Sequence, residues 1–326
     1  MKISVIIPAY NSSSSLVKTV ESIFNQSYPK DEFEVIVVDD GSTDATKEDM
    51  ERLRRQDKYN LGYCYQKNRG PAAARNLGIK NSRGEIIVFI DADCIADRSW
   101  LKEISGGYND QRLAGIGGVI KAVPSGSIVS RYCAYIKMNE KPKRDKTGIV
   151  YLITANASFR KSCLDSIGGF DQRYNSPGGE DPDLCYRLRK EGYYFKYNPK
   201  AVVFNPHKNS FKELAGTYFN YGRGESFLAL RKTSRWRLSD ITGWKWVFYF
   251  SKIIFKAILM AMEDAIDSIL RLLKVPFRIL TYYSQGLSLK ESLSYALLDY
   301  LKDFSFQQGC LMGYLEGKFK GFSKLS

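Results

Sequence analysis

Asp91-Ala92-Asp93 sets two carboxylates one residue apart at the end of an apolar run, Glu85–Ile90. Carboxylates spaced this way can serve different ligands, and hard divalent cations such as Mg²⁺ or Mn²⁺ prefer oxygen donors. A cation held there would bridge a nucleotide diphosphate and neutralise the charge growing on its leaving group. A second acidic pair, Glu180-Asp181, stands where Pro177-Gly178-Gly179 gives way to a helical pattern, and the chain's one histidine, His207, follows a last apolar run. Imidazole can complete a metal shell as a nitrogen ligand, which suits Mn²⁺ better than Mg²⁺. Each feature also has a plain structural reading. Acidic residues favour the first turn of a helix through its dipole, and a histidine after a strand can simply face solvent.

The elements that must position these groups alternate between strand and helix. Ile3–Ile7 reads as a strand buried on both faces, and Asn11 to Ser15 offer caps for a helix through Leu16, Val20 and Ile23. Phe33–Val38 is a second strand, stopped by Asp39-Asp40-Gly41-Ser42. A third falls near Tyr63–Gln66, followed by Asn68-Arg69-Gly70-Pro71 and a helix over Ala72–Lys80, and Glu85–Ile90 is a fourth. This order predicts an α/β doubly wound sheet, whose ligands bind at the carboxyl ends of the strands. Pro8–Asn11, Asp39–Ser42 and Asp91–Asp93 all lie at those ends. Any one cluster is ordinary turn chemistry; three on one rim point to a site. Further on, Lys137–Gly148 reads as a mobile polar loop, Thr154–Arg160 and Ala201–Phe204 as strands, and Glu180 as the start of a helix running to Gly192.

The 326 residues carry 49 Lys and Arg against 35 Asp and Glu, a net +14, with 44% hydrophobic residues. That composition supports a real core and excludes intrinsic disorder. The basic excess suits a phosphorylated substrate, a polyanion or an anionic membrane surface. No nucleic-acid-binding signature is visible, so no nucleic-acid partner is expected. Met1-Lys2 leads directly into the first strand, so no secretory signal is expected, and six scattered cysteines suit a reducing, cytoplasmic setting.

Beyond about residue 211 the pattern turns helical. From Trp244 to Val275 the charges Lys245, Lys252, Lys256, Glu263, Asp267, Arg271 and Lys274 fall in one narrow stripe at about 100° per residue, and Pro276 ends the run. Such a helix lies in a membrane interface or packs in a bundle or homo-oligomer. No apolar run is long enough to span a bilayer. Leu289–Phe304 and Phe306–Leu315 read as further helices, which predicts a catalytic domain over residues 1–210 and a helical region over 211–326, membrane-interfacial or oligomer-forming.

Six stretches carry a resemblance: Ser4–Asn11, Val35–Asp44 (VIVVDDGSTD), Asn68–Ile79 (NRGPAAARNLGI), Gly84–Asp93 (GEIIVFIDAD), Gly168–Asp171 and Gly178–Leu188 (GGEDPDLCYRL). Together they resemble family 2 glycosyltransferases, enzymes of the GT-A fold that act with inversion. The resemblance implies that Pro8, Ala9, Tyr10 and Asn11 line a nucleotide pocket, with Asp40 on the base and Asp39 beside it. It implies Arg75 near the nucleotide, Asp91 near the ribose, sugar or metal, and Asp93 and His207 on a Mn²⁺ or Mg²⁺ ion. Asp181 takes the place of the general base, and Glu180 that of a residue orienting the acceptor. The implied donor is a UDP-, GDP- or dTDP-sugar. The implied acceptor is a glycan precursor or lipid-linked glycan at the cytoplasmic face of a membrane. Lys232–Trp236 holds an Arg-Trp pair but not the QxxRW motif of processive synthases, which disfavours polymer synthesis. Two other readings compete. One is a non-catalytic nucleotide-sugar-binding or membrane scaffold protein. The other is a sugar-phosphate nucleotidyltransferase, which would want a glycine-rich phosphate loop where Pro8-Ala9-Tyr10-Asn11 stands.

Overall fold

A computed structural model of the chain describes residues 2–56, 60–206, 208–233 and 245–320. The chain divides into two compact units. The first comprises Met1–Val123, Lys137–Ser176 and Glu180–His207, and the second Pro124–Ile136, Pro177–Gly179 and Lys208–Ser326.

In the first unit, β1 (Ile3–Ala9), β2 (Phe33–Asp39), β3 (Leu61–Tyr65) and β4 (Ile86–Ile90) pair in parallel in the order β3-β2-β1-β4. Val5, Ile6 and Ile7 are fully buried, as are Ile86 to Ile90. Strands covered on both faces need continuous apolar runs, and these strands have them. α1 (Ser13–Phe24), α2 (Thr46–Arg54) and α3 (Pro71–Asn81) follow β1, β2 and β3. At the start of α3, Gly70 has φ +87°, and a side chain there would run into the backbone of Asn175. Pro71 follows at the first helical position, where its missing N–H costs nothing.

The remainder of the doubly wound sheet is mixed in direction. β5 (Ile95–Ala96), α4 (Trp100–Ser105) and β6 (Leu113–Val123) come next, and β7 (Lys143–Asp145), within the segment read as a mobile loop, pairs with β8 (Gly148–Tyr151), which begins at that segment's last residue, as a separate hairpin. β9 (Asn156–Arg160) runs antiparallel to both β4 and β6, and β10 (Tyr194–Pro206) runs parallel to β6. The complete order is β3-β2-β1-β4-β9-β6-β10-β5. Asn156 joins this half. Its Nδ2 donates to the carbonyls of Val119 (2.8 Å) and Ala201 (3.0 Å), and its Oδ1 accepts from the Trp100 indole (2.8 Å). A fully satisfied amide of this kind fixes strand position without leaving an orphan polar atom in the core. α6 (Lys161–Ser166) and α7 (Glu180–Lys190) complete the unit.

The second unit is helical: α5 (Ile128–Tyr135), α8 (Phe211–Thr233), α9 (Lys245–Leu273), α10 (Val275–Ser284) and α11 (Leu289–Lys320). Leu289–Phe304 and Phe306–Leu315, read as two helices, form the single helix α11. α8 and α11 approach at backbone distance through glycines. A methyl group on Gly222 would strike the Phe306 carbonyl, and one on Gly309 the Phe219 carbonyl. Tyr132, Tyr135, Tyr282 and Tyr295 pack ring against ring at 5.3–5.8 Å. Within this group the Tyr132 and Tyr282 hydroxyls both donate to Asp299, each at 2.5 Å.

Candidate active site

The strand ends meet as predicted. The β1–β2 register sets Ala9 opposite Asp39, and the Asp40 N–H donates to the Ala9 carbonyl at 2.8 Å. The β1–β4 register, Ile3 to Ile86, carries Asp91 to the level of Pro8. Asn11, at φ +50°, ties the two loops together. Its Oδ1 accepts from the Thr43 N–H (2.8 Å) and its own N–H donates to Ser42 Oγ (2.9 Å). Tyr10 is about half exposed on this rim.

Asp39 and Asp40 are buried and build the loops around them. Asp39 accepts from the Ser42 N–H (2.8 Å) and the Tyr63 hydroxyl (2.7 Å); burial and this carboxylate together push the Tyr63 phenol upward. Asp40 accepts from Gln66 Nε2 (2.7 Å) and from the N–H groups of Arg69 (2.9 Å) and Gly70 (2.8 Å). Two of these donors lie at the entrance to α3, so Asp40 also fixes the helix that carries Arg75.

Arg75 is the hinge of the charged cluster. Only 5% exposed, it reaches Glu180 Oε1 at 3.1 Å and Asp91 Oδ1 at 3.4 Å, and lies 5.6 Å from the centre of the Phe170 ring. Burial alone would lower its pKa, but the charges of Asp181, Glu180 and Asp91 more than offset that and raise it. The Arg75 Nε is buried and has no hydrogen-bond partner among the described residues.

Glu180 and Asp181 open α7, where the helix dipole favours negative charge. Asp181 is gripped by Thr154, whose N–H donates to Oδ2 (2.9 Å) and whose hydroxyl donates to Oδ1 (2.8 Å). Burial, and then the neighbouring Glu180, push the Asp181 carboxyl up to about 7, against the pull of Arg75 and the Thr154 bonds. A carboxylate with that pKa is matched to accept a proton near neutral pH.

Asp91 has a half-open side chain, 40% exposed, and Asp93 Oδ1 accepts from Asn205 Nδ2 at 2.9 Å. Beside them Cys94 is buried, and burial followed by the two aspartates holds its thiol well above the ordinary range. His207 lies outside the described residues. Among the described residues no group of three or more His, Cys, Asp or Glu could hold a metal ion. Asp91 and Asp93 still fit a hard cation chemically, since Mg²⁺ is commonly held by one or two carboxylates together with substrate phosphates.

The structure thus brings Arg75, Asp91, Glu180 and Asp181 into one charged cluster, with Pro8 and Ala9 level with Asp91 along the strand ends. Three partners escape sequence reading: Thr154, Asn205 and Phe170. Thr154 entered the sequence reading only as the first residue of a strand, Phe170 only as part of the Gly168–Asp171 stretch, and Asn205 not at all. A cavity of about 300 Å³ is lined by Lys137, Glu140, Lys141, Lys143, Tyr151 and Ile153, together with Asn139. Ile153 directly precedes Thr154. Lys137 and Asn139 both hold left-handed backbone, φ +52° and +57°, which for non-glycine residues is strain that surrounding structure must sustain.

Comparison with known proteins bears on the same region. The chain is 31% identical over 235 residues to the pre-mycofactocin glycosyltransferase of Mycobacterium tuberculosis, covering 70% of this chain and 48% of that protein. It is 30% identical over 226 residues to glycosyltransferase AglE of Haloferax volcanii, covering 68% of this chain and 72% of the relative. The chain therefore spans about half the length of the first relative. Among solved structures it is similar to the mannosyltransferase PcManGT from Pyrobaculum calidifontis in complex with GDP-Man and Mn²⁺. That match has a TM-score of 0.55 at 22% identity and covers 71% of this chain and 64% of the other. This likeness establishes the GT-A fold. The sequence profile of glycosyl transferase family 2 matches residues 4–168, about half of the chain, which belongs to that family.

Proposed function

We propose that the chain is a metal-dependent, inverting glycosyltransferase that moves a sugar from a nucleotide-diphosphate donor to a hydroxyl of a glycan-precursor or lipid-linked acceptor. The observation that carries this reading is Asp181, buried, held by Thr154 and raised to about 7 beside Arg75, Glu180 and Asp91. A sugar hydroxyl is a weak nucleophile, and a positioned base contributes roughly 10²–10⁴-fold. Asp181 takes the acceptor proton as the acceptor oxygen bonds to the anomeric carbon. The bond from that carbon to the diphosphate breaks on the opposite face, and the configuration inverts. Glu180 orients the acceptor, while Pro8, Ala9, Tyr10, Asn11, Asp39 and Asp40 wall the nucleotide. Mn²⁺ or Mg²⁺, held by Asp91 and Asp93 with His207 as a further ligand, would supply positive charge to the leaving diphosphate. Arg75 adds fixed positive charge to the same cluster.

The named glycosyltransferase relatives support the transfer reaction, and a structural neighbour that holds GDP-Man and Mn²⁺ supports a nucleotide-sugar donor with a divalent cation. The three lysines around the cavity beside Ile153 favour an acceptor that carries negative charge, such as a phosphate-bearing glycan or lipid. We assign such chemistry to the cytoplasmic face of a membrane. The test incubates purified protein with Mn²⁺ or Mg²⁺, a panel of UDP-, GDP- and dTDP-sugars, and phosphorylated and neutral acceptors. Metal-dependent release of one nucleoside diphosphate supports the reading. Release of pyrophosphate from a nucleoside triphosphate, or donor binding without turnover on any acceptor, contradicts it.

A further inference from the structure

In the second unit, α9 and α10 fold with their polar side inward. Asp267 accepts from Arg271 Nε (2.7 Å) and from Gln307 Nε2 of α11 (2.5 Å), and Arg271 also reaches Asp303 of α11 at 2.9 Å. Ser268 is buried and bonds Gln307 at 3.1 Å, and Arg278 of α10 pairs with Asp303 (3.2 Å) and Asp299 (3.6 Å). The predicted charge stripe is therefore split. Asp267 and Arg271 turn toward α11, while Lys256, Glu263 and Lys274 stay exposed along its margin.

The opposite side is apolar and open. Phe255, Ile266, Ile269, Leu273, Phe277 and Leu280 are 57–71% exposed. Leaving such large apolar side chains in water forfeits most of the free energy that their burial would give. α8 and α11, meanwhile, meet through small residues, with Gly309, Gly313 and Gly317 recurring every fourth position on α11. Small and polar groups between helices with large apolar groups outside is the packing of helices in lipid. None of the described helices is long and apolar enough to cross a bilayer.

Charge selects the kind of surface. Exposed charged residues from 255 to 297 are Lys256, Lys274 and Lys290 against Glu263. The whole unit holds nineteen Lys and Arg against ten Asp and Glu.

We infer that the outward face of α9 and α10 is a docking surface for an anionic lipid bilayer, lying in the plane of the membrane with its apolar side chains at the headgroup–acyl boundary. This deepens the membrane placement proposed above and names its contact residues. It uses none of the active-site residues.

The test floats the full-length protein, without nucleotide sugar, on vesicles of phosphatidylcholine alone or mixed with phosphatidylglycerol. The protein partitions onto the mixed vesicles at least tenfold better, since each lysine near an anionic surface strengthens binding several-fold. Ile269→Glu and Phe277→Glu each lower that partition about tenfold or more, with helicity by circular dichroism unchanged because both side chains face outward. Phe277→Trp keeps the apolar surface, so it reports independently of the Glu variants: the fluorescence it adds to that of the parent's four tryptophans is quenched by brominated lipid. Asp181→Asn floats like the parent protein, which separates failure of this surface from failure of the proposed chemistry. The inference is overturned by absence of flotation, by Glu variants that float unchanged, or by a Phe277→Trp variant whose added fluorescence, relative to the parent, stays unquenched. It is equally overturned by a protein that ignores vesicles but doubles in mass, with Ile269→Glu restoring the monomer; the face would then belong to a second copy of this chain.

Discussion

Thr154 donates to both carboxylate oxygens of Asp181, through its N–H to Oδ2 at 2.9 Å and through its hydroxyl to Oδ1 at 2.8 Å. The pair links the mouth of β9 to the first turn of α7, so one threonine both aims the proposed base and restrains its pKa. A carboxylate has about four lone-pair sites, which leaves capacity to accept an acceptor's proton.

Thr154→Val removes the hydroxyl bond and keeps the backbone one. Hydrogen bonds to the ionised form lower a carboxyl pKa, so the variant's Asp181 rises further. The acidic limb of the kcat/KM profile moves up by about one pH unit, the equivalent of one hydrogen bond. Thr154→Ser restores the parent profile. A purely structural role for Thr154 would lower the plateau without moving the limb.

The same carboxyl makes stability depend on pH. Its folded pKa, about 7, exceeds its ordinary value of 3.8 because burial disfavours the charge. The fold binds the proton more tightly than the unfolded chain does. This contribution is therefore complete below about 3.8 and is lost as pH rises through about 7. Melting temperature measured from pH 4 to 8 falls toward the upper end, and Asp181→Asn, which cannot ionise, flattens that fall.

Arg75→Ala removes the buried positive charge that Glu180, 5% exposed, contacts at 3.1 Å. Removing one partner of a buried ion pair typically costs about 3–5 kcal/mol. Urea denaturation reads this loss directly. Arg75→Lys loses less stability but cannot fork to both Glu180 and Asp91, so its activity falls more than its stability.

Gly309→Ala tests the contact between α8 and α11. Alanine would ordinarily gain about 1 kcal/mol over glycine inside a helix. Here the new methyl strikes the carbonyl of Phe219, and prying two packed helices apart costs about 1–3 kcal/mol. The sign is therefore destabilising, in contrast to Gly216→Ala, which meets nothing and is neutral or stabilising in the same denaturation assay.

The first half of the sheet was legible because its strands are short apolar runs stopped by polar clusters. Val5 to Ile7 and Ile86 to Ile90 are buried on both faces and can be little else. β6 was not legible. Gly115, Gly117 and Gly118 interrupt the β-forming pattern of Leu113–Val123, yet the structure needs them: a methyl on Gly118 would meet the Ala201 carbonyl and the Asn156 amide. The reversed direction of β9 has no local marker, since pairing partners far apart in the chain decide it. Within the site, the acidic residues and Arg75 declared themselves by type and spacing. Thr154 and Asn205 did not, because their importance comes from partners 27 and 112 positions away. On α9 the sequence located the charge stripe but not its direction, which the carboxylates of α11 determine.

The account rests most on Asp181 as a base that is dispensable for holding the donor. The measurement that tests it pairs donor binding with turnover in the parent protein and in Asp181→Asn, using thermal shift and nucleoside-diphosphate release with the donor found in the panel. The account predicts that the same nucleotide sugar with Mn²⁺ raises the melting temperature of both proteins, while release falls at least a hundredfold in Asp181→Asn. Undiminished release by Asp181→Asn contradicts it.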